Sequence, residues 1–321
     1  ATVSRVMNNS EKVSPATRKK VEDAMNELGY RPNSNAQSLA SNRSNSVGVI
    51  VPVLYGPFYG EMLSGVESEL RAAGKHLIIT TGDDNEAGEK AGVEFLLSRS
   101  CDALILRLDF VSDEYLVGLK DRDSTPFVVL DREVPEILDR CIYLDNELGG
   151  YFATQSLLVL GHRRIAYVSG PLRKDDASGR FAGHKRALEE QGIEFDSRLF
   201  YEGNFQEDGG SRGMEHLLAS GMPFSAVVCA NDEMAAGAFG VARERGMVIP
   251  EEISIMGFDN VFFTRYFRPK LSTVRNPVRE MGEMAARWIL KEVYGHSELE
   301  IRHRYVPEVV NRNSVAAKFG Q

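Results

Sequence analysis

The 321-residue sequence has few of the features on which catalysis or metal binding depends. Its three cysteines show no CxxC spacing, and its six histidines show no HExxH or other metal-ligand spacing. It contains no glycine-rich phosphate loop of nucleotide hydrolases and no GxGxxG fingerprint after the first strand. The carboxylate pairs Asp83–Asp84 and Asp175–Asp176 lie in segments of turn composition, where we predict loops rather than acid–base chemistry. We expect no catalytic residue, no metal ligand and no cofactor.

Long apolar runs are equally scarce. No stretch reaches the roughly 18 consecutive apolar residues of a membrane-spanning helix, and no basic-then-apolar leader is present. Cys101 and Cys229 lie beside strand-like apolar runs, which favours buried free thiols. We expect a cytoplasmic protein without a membrane partner.

Charge divides the chain into two unequal parts. Residues 1–46 carry seven lysines and arginines and four acids, a net charge of +3, whereas the whole chain carries −8. A basic end on an acidic body is typical of a nucleic-acid-binding segment. The alternative is an ordinary basic helical hairpin whose charges are solvated.

The basic end predicts two helices. In TVSRVMNN the hydroxyls, the arginine and the asparagines share one face, where they could meet bases and phosphates. In SPATRKKVEDAMNELGYRPN, Ser14 is an N-cap and Gly29 closes the helix. The predicted buried face of these helices comprises Val3, Val6, Met7, Val21, Met25 and Leu28, and Arg18, Lys19 and Lys20 are predicted to be exposed.

The rest of the chain alternates between short apolar runs and helical segments. The runs lack polar alternation, which is typical of parallel strands covered on both faces. They are VGVIVP, HLIITT, ALILRL, FVVLD, CIYLD, RIAYVSG, AVVCAND, ISIMGFD and LSTVR. Helices are predicted near 59–73, 86–99, 113–121, 147–160, 180–191, 208–220 and 232–245. This pattern indicates an α/β protein with two doubly wound parallel sheets and a cleft between them.

Acids and amides are concentrated directly after these apolar runs. In doubly wound folds the ligand lies at the carboxyl ends of the strands, so these residues are binding candidates. The alternative is that they cap the following helices. The candidates are Asp83, Asp84, Asp131, Asp145, Asn231, Asp232 and Asp259.

Several strings along the whole chain resemble the LacI/GalR family of bacterial transcription regulators, and most closely its galactose-repressor branch. They are ATVSRVMNNS, VSPATRKKVEDAMNELGYRPN, NAQSLASNRSNSVGVIVP, RCIYLDNELGG, GHRRIAYVSGP, GRFAGHKRALEEQGI, AVVCANDEMAAGA, IPEEISIMGFDN, LSTVRNPVREMG and NRNSVAA. The family's headpiece has a further helix before the recognition helix. We therefore expect that this first helix is missing here.

The resemblance implies a periplasmic-binding-protein-like body of two lobes, preceded by a partial helix-turn-helix headpiece and a hinge. The headpiece is expected at 1–32 and the hinge at 33–46. The N-terminal lobe is expected at 47–145 plus about 276–305, and the C-terminal lobe at 146–275 plus about 306–321.

The resemblance also implies two sets of binding residues. Contacts with operator DNA are expected from Thr2, Ser4, Arg5 and Asn8 in the major groove and from the hinge residues Asn33, Ala36 and Leu39. Leu39 matches the leucine that enters the minor groove. Contacts with a small-molecule effector are expected from Phe58, Tyr59, Asp84, Asp131, Arg180, Phe205, Asn231 and Asp259.

The chemistry of the effector set favours a neutral sugar. Carboxylates, amides and a guanidinium can bind its hydroxyls, while an aromatic ring covers its apolar face. We therefore expect a homodimeric, sugar-responsive regulator, a repressor of a carbohydrate-use operon, whose operator affinity changes with the effector. The alternatives are a sugar-binding protein without a DNA function and a family member that responds to a purine or nucleoside. Induction and co-repression both stay open.

Overall fold

The computed structural model describes residues 2–7, 12–30 and 43–318, apart from the side chains of Ser4 and Met7. Of the expected DNA contacts, Asn8, Asn33, Ala36 and Leu39 lie outside the described residues. The part described has ten α-helices. They are α1 (Thr2–Met7), α2 (Pro15–Glu27), α3 (Pro57–Ala72), α4 (Glu86–Ser98), α5 (Asp113–Arg122), α6 (Asn146–Val159), α7 (Asp175–Glu189), α8 (Glu207–Ala219), α9 (Asp232–Glu244) and α10 (Val278–Tyr294).

The first lobe is built on a six-stranded parallel sheet in the order β11-β5-β4-β3-β1-β2. Its central strands are buried on both faces, as their unbroken apolar runs predict. The strands are β1 (Ser46–Val51), β2 (His76–Thr81), β3 (Ala103–Leu106), β4 (Phe127–Leu130), β5 (Cys141–Leu144) and β11 (Arg304–Tyr305).

The second lobe is built on a four-stranded parallel sheet in the order β7-β6-β8-β9. Next to it, β10 and β12 form an antiparallel pair. The strands are β6 (Ile165–Ser169), β7 (Phe200–Glu202), β8 (Ala226–Cys229), β9 (Ser254–Met256), β10 (Thr273–Arg275) and β12 (Glu308–Val310).

The chain passes between the lobes three times, after β5, after β10 and after β11. Helix α10 packs on the first sheet and on α3, although it follows β10 of the second lobe. These contacts support the proposed lobe division at residues 145–146, 275–276 and 305–306. In each sheet the strand order reverses, between β1 and β3 and between β6 and β8, and such reversals open a crevice at the carboxyl ends of the strands.

Three helix pairs cross at glycines that face each other's backbone. A Cβ on Gly150 or Gly183 would overlap a carbonyl oxygen of the partner helix, and the same holds for the pair α8–α9 at Gly210 and Gly237. The third pair is α3–α10, at Gly65 and Gly282. Close backbone approach therefore fixes the helices that carry several residues of the crevice.

The body agrees with the predicted alternation, with two clear errors. No helix was predicted over the residues that form α10 (Val278–Tyr294). A helix was predicted near 180–191, but α7 begins at Asp175. Asp175 and Asp176 therefore form its first helical turn and do not lie in a loop. Lys174 is the N-cap and makes no side-chain cap bond, so the usual sequence signal of a helix start is missing. Cys101, Cys141 and Cys229 are buried free thiols.

The predicted apolar face of the headpiece is only partly buried. Val6 is buried, but Val3 is half exposed and Leu28 is 80% exposed. An apolar stripe is buried only where another element covers it, and among the described residues the short α1 is the element that packs on α2. Arg18, predicted to be exposed, is partly buried and donates to the Val6 carbonyl at 3.4 Å. No described helix has the length and apolar character needed to cross a bilayer.

Two glycines of α9 provide a test of the close helix packing. Alanine at Gly237 would overlap the Glu207 carbonyl, whereas no atom lies within 4 Å of a Cβ at Gly240. Gly237→Ala should destabilise the protein by about 1–3 kcal/mol through overpacking. Gly240→Ala should stabilise it by about 0.5–1 kcal/mol through helix propensity. Urea unfolding measures both, and equal effects of the two changes would contradict the packing described here.

Candidate functional site

The main candidate site is the crevice between the lobes, with an empty volume of about 900 Å³ including its part open to solvent. Both lobes line it at the carboxyl ends of their strands. Seven of the eight expected effector residues lie on its walls: Phe58, Tyr59, Asp84, Arg180, Phe205, Asn231 and Asp259. Its other lining residues are Pro52, Val53, Tyr55, Gly56, Lys174, Asp176, Asn204, Gln206 and Glu233.

Arg180, on α7, is the most constrained cation of the cleft. It is 2% exposed, and its guanidinium donates to Asn146 Oδ1 at 2.9 Å and to the Ala230 carbonyl at 2.6 Å. Its third contact is an ion pair with Asp259 at 3.4 Å. The guanidinium carbon lies 3.8 Å from the ring centroid of Phe258, so an aromatic face supports it from one side. Arg180 is therefore held in one orientation at the cleft wall.

Phe205 occupies a strained position beside this arginine. Its φ is +65°, which is unusual for a bulky residue. The Asn231 amide donates to the Phe205 carbonyl at 2.8 Å, and a Cβ on Gly170 would overlap the Phe205 ring. Such strain persists only where the surroundings enforce it, and it is concentrated at binding sites.

Asp259 is the buried carboxylate of the second-lobe wall. It follows β9 with a φ of +102° and accepts from Asn276 Nδ2 at 3.2 Å. Burial raises the pKa of Asp259, although Arg180 beside it acts in the opposite direction. A ligand that donates hydrogen bonds would stabilise the charged form of this carboxylate.

Two of the strand-end candidates have capping roles, as the alternative interpretation holds. Asp145 caps α6 by accepting from Leu148 N at 2.9 Å, and Asn231 caps α9 by accepting from Met234 N at 2.9 Å. Asn231 combines this role with its place in the cleft. Asp232 does not line the cleft, because its carboxylate accepts from Val261 N and Thr273 Oγ1 at 2.9 and 2.7 Å.

The structure places Asp131 outside the cleft lining, so its expected ligand contact stays a prediction. Asp131 is 3% exposed and borders a separate depression near Asp145. Its carboxylate lies 3.3 Å from Arg107 Nε and forms an ion pair with it. The geometry of this pair is not that of a hydrogen bond. Burial raises the pKa of Asp131 to about 7 against the opposing effect of Arg107. Its role here is to pair with Arg107 beneath the cleft.

The buried side chains of Arg107 and Lys174 connect the two lobes through ion pairs. Arg107 follows β3 of the first lobe and pairs with Asp109 and, at 3.1 Å, with Asp176 of the second lobe. Lys174 of the second lobe pairs with Asp84 at 2.6 Å and Asp109 at 3.1 Å in the first. Burial alone would lower the pKa of Lys174, but Asp109 and Asp84 outweigh it and raise the pKa. The ammonium therefore stays charged.

A further ion pair between the lobes lies at the edge of this network. Arg132 of the first lobe pairs with Asp175 of the second at 3.2 Å.

Sequence reasoning missed Arg107, Lys174 and Asp176 as site residues. Arg107 follows its strand as the candidate acids do, so the strand-end rule could have included it if extended to cations.

The described part of the headpiece exposes two of the residues expected to contact DNA. Thr2 and Arg5 lie exposed on α1, while Val6 on the same helix is buried. The helix therefore has one free polar face.

Comparisons with known proteins agree with this architecture. Residues 1–33 match the model of bacterial regulatory proteins of the lacI family, and residues 154–315 match the periplasmic binding protein-like domain. The regulator GalR of Escherichia coli K12 is 40% identical over 316 residues, covering 98% of this chain and 92% of GalR. The chain belongs to the LacI family of DNA-binding transcription regulators.

Solved structures of the family cover the same length. The lac repressor dimer bound to operator and the anti-inducer ONPF matches with a TM-score of 0.85 at 27% identity, covering 98% of this chain and 95% of that chain. The regulator CelR in complex with cellobiose matches with a TM-score of 0.74 at 31% identity, covering 97% and 94%. In this LacI-family chain the headpiece precedes a two-lobed body of the periplasmic-binding-protein type.

The raised pKa of Asp131 predicts a specific pH dependence of stability. The folded-state pKa of about 7 lies above the ordinary value of 3.8, so the folded state binds a proton that the unfolded state has lost. Stability should therefore fall as the pH rises from about 4 through 7. Asp131→Asn removes this group and should make the fall shallower, by at most about 1.4 kcal/mol per pH unit.

Urea unfolding at pH 5, 6, 7 and 8 measures this effect. Asp123→Asn is the matched control, because Asp123 is a partly buried loop carboxylate whose pKa is lowered by its hydrogen bond from Thr125 N. If the stability of Asp131→Asn falls with pH in parallel with that of the wild type, the buried Asp131 carboxylate beside Arg107 is not the source of the pH dependence.

Proposed function

We propose that this LacI-family regulator is a sugar-responsive repressor of a carbohydrate-use operon that binds a neutral sugar between its lobes. The observation that carries the proposal is the set of oriented polar groups and aromatic rings in one cleft. Asp259, Asn231 and Arg180 offer acceptors and donors to hydroxyls, and Phe58 and Phe205 offer faces to an apolar sugar ring. Cellobiose, the molecule bound by CelR, belongs to the same chemical class.

The balance of charge in the cleft supports a neutral ligand over a phosphorylated one. Arg180 is committed to Asp259, and Lys174 to Asp84 and Asp109. The side-chain carboxylate of Glu233, in contrast, has no hydrogen bond or ion pair with any described residue. A phosphate would need free cations or helix N-terminal amides, and the cations lining this cleft already have carboxylate partners.

Glu233 reaches across the cleft from the second lobe. A Cβ on Gly56 of the first lobe would lie 3.1 Å from Glu233 Oε1. Burial, followed by the nearby Glu207 and Asp259, raises the pKa of Glu233 to about 7. A ligand hydroxyl stabilises a half-buried carboxylate that lacks a hydrogen-bond donor, whereas a ligand anion is repelled by it.

The effector acts, in this proposal, on the balance between open and closed lobes. The ion pairs of Arg107 with Asp176 and of Lys174 with Asp84 and Asp109 form only when the lobes are close. A ligand that touches both walls adds further contacts between the lobes. A ligand shifts an equilibrium only by its differential affinity for the two states. The first lobes follow directly on the hinges, so a change in lobe angle alters the arrangement of the headpieces.

DNA binding is proposed to require two copies of the chain. Two headpieces match a pseudo-palindromic operator, with Thr2, Ser4, Arg5 and Asn8 in the major groove and Asn33, Ala36 and Leu39 in the hinges. The operator lies in the cytoplasm, which is the compartment we propose for the protein.

Glu233 provides the test of ligand charge. After a thermal-shift screen of hexoses, disaccharides and nucleosides, calorimetry should show the best hexose binding at least tenfold tighter than its 6-phosphate and its uronate. Glu233→Gln should narrow this ratio, because it removes the uncompensated charge while keeping the side-chain shape. Glu215→Gln, an exposed site on α8, should leave the ratio unchanged.

A phosphorylated hexose that binds tenfold tighter than its parent would contradict the proposal. A nucleoside that stabilises the wild type while every sugar fails would assign the cleft to the other ligand class.

A further inference from the structure

The segment that leads from the headpiece into the first lobe ends on a single carboxylate, Asp102. Both carboxylate oxygens accept backbone hydrogen bonds, Oδ1 from Ser44 N at 2.7 Å and Oδ2 from Asn45 N at 2.9 Å. The Ser44 hydroxyl donates to Oδ1 at 3.1 Å, and the Tyr294 hydroxyl donates to Oδ2 at 2.7 Å. Hydrogen bonds to an ionised acceptor are about twice as strong as neutral ones.

Neighbouring side chains complete this anchor. Lys75 donates to Asn45 Oδ1 at 2.6 Å, and its ammonium lies 3.8 Å from the Tyr294 ring centroid. Burial and then the hydrogen bond to Asp102 raise the pKa of Tyr294 well above its usual range, so the phenol keeps the proton that it donates. Arg43 donates to the Val293 carbonyl at 2.8 Å, near the end of α10, where the helix dipole favours a cation.

One short strand joins this anchor to the effector cleft. Asp102 directly precedes β3, and Arg107 directly follows it. At about 3.3 Å per residue, the two lie roughly 16 Å apart at opposite edges of the first sheet. Because β3 pairs with both β1 and β4, Asp102 and Arg107 move together with the sheet.

We propose that Asp102 is a positioning residue for operator binding, which fixes the root of the DNA-binding segment to the first-lobe sheet. The separation of the two headpieces in a dimer then follows the positions of the first lobes. Releasing residues 43–45 would add three residues of slack, up to about 10 Å. Shifts of 1–2 Å are typical at the interfaces of switching proteins, so slack of this size would absorb them.

The test uses the full-length protein and an operator selected from random-sequence DNA with the wild type. Asp102→Ala should bind the complete two-half-site operator at least tenfold more weakly, because the second headpiece is presented at a lower effective concentration. Its affinity for a single half-site should stay within about twofold of the wild type, since one headpiece needs no spacing. The variant should also discriminate less against operators with two or three base pairs inserted between the half-sites.

Asp123→Ala is the matched control. Asp123 also accepts a backbone hydrogen bond in the first lobe, from Thr125 N at 2.7 Å, but it is not part of the anchor. It should change neither affinity. Asp102→Asn keeps one acceptor oxygen and should lie between the wild type and Asp102→Ala.

Three results would overturn the proposal. The first is that Asp102→Ala has the same ratio of full-site affinity to half-site affinity as the wild type. Another is an equal loss on both DNAs in the milder Asp102→Asn, which would indicate general damage to the fold. The third is an unchanged preference for half-site spacing in both variants.

Discussion

The ion pairs that the buried side chains of Arg107 and Lys174 make across the cleft are the contacts on which the rest of the structure depends. A buried charge is tolerated only when it is paired, and removing one partner costs about 3–5 kcal/mol. These charges are therefore stable either paired in the closed cleft or hydrated when the cleft is open. In intermediate lobe positions they would be neither fully paired nor fully hydrated. Such a network favours two discrete lobe positions over a continuum, which is the property a ligand-controlled switch requires.

The two parallel sheets convert this local chemistry into a long-range effect. Arg107 stands at one end of β3 and Asp102 at the other, so the cleft and the root of the DNA-binding segment belong to one rigid layer. Close helix crossings at glycines, such as Gly150 against α7, leave little freedom within each lobe. Motion is then concentrated between the lobes, where the chain passes three times and where the ligand is proposed to bind.

Much of the body could be predicted from the sequence, because strands buried on both faces are uninterrupted apolar runs and each helix must lie between two of them. Residues whose role depends on a distant partner could not. Arg107 and Asp176 are 69 positions apart, and neither is unusual in its local context. The strand-end rule made Asp131 a binding candidate, but the position of a residue at a strand end cannot show that Arg107 pairs with its carboxylate. The local sequence of Glu233 is typical of a solvated helix residue. Only the three-dimensional structure shows that it faces the first lobe across the cleft.

The central claim is that sugar binding and operator binding draw on one equilibrium between lobe positions. Thermodynamic linkage then requires that each ligand change the affinity of the other by the same factor. The most direct test is calorimetry of the full-length protein with its best-binding sugar, in the absence and presence of saturating operator DNA. The account predicts a change in sugar affinity of about fivefold or more, equal to the change that the sugar produces in operator affinity. An identical sugar affinity with and without operator would contradict it.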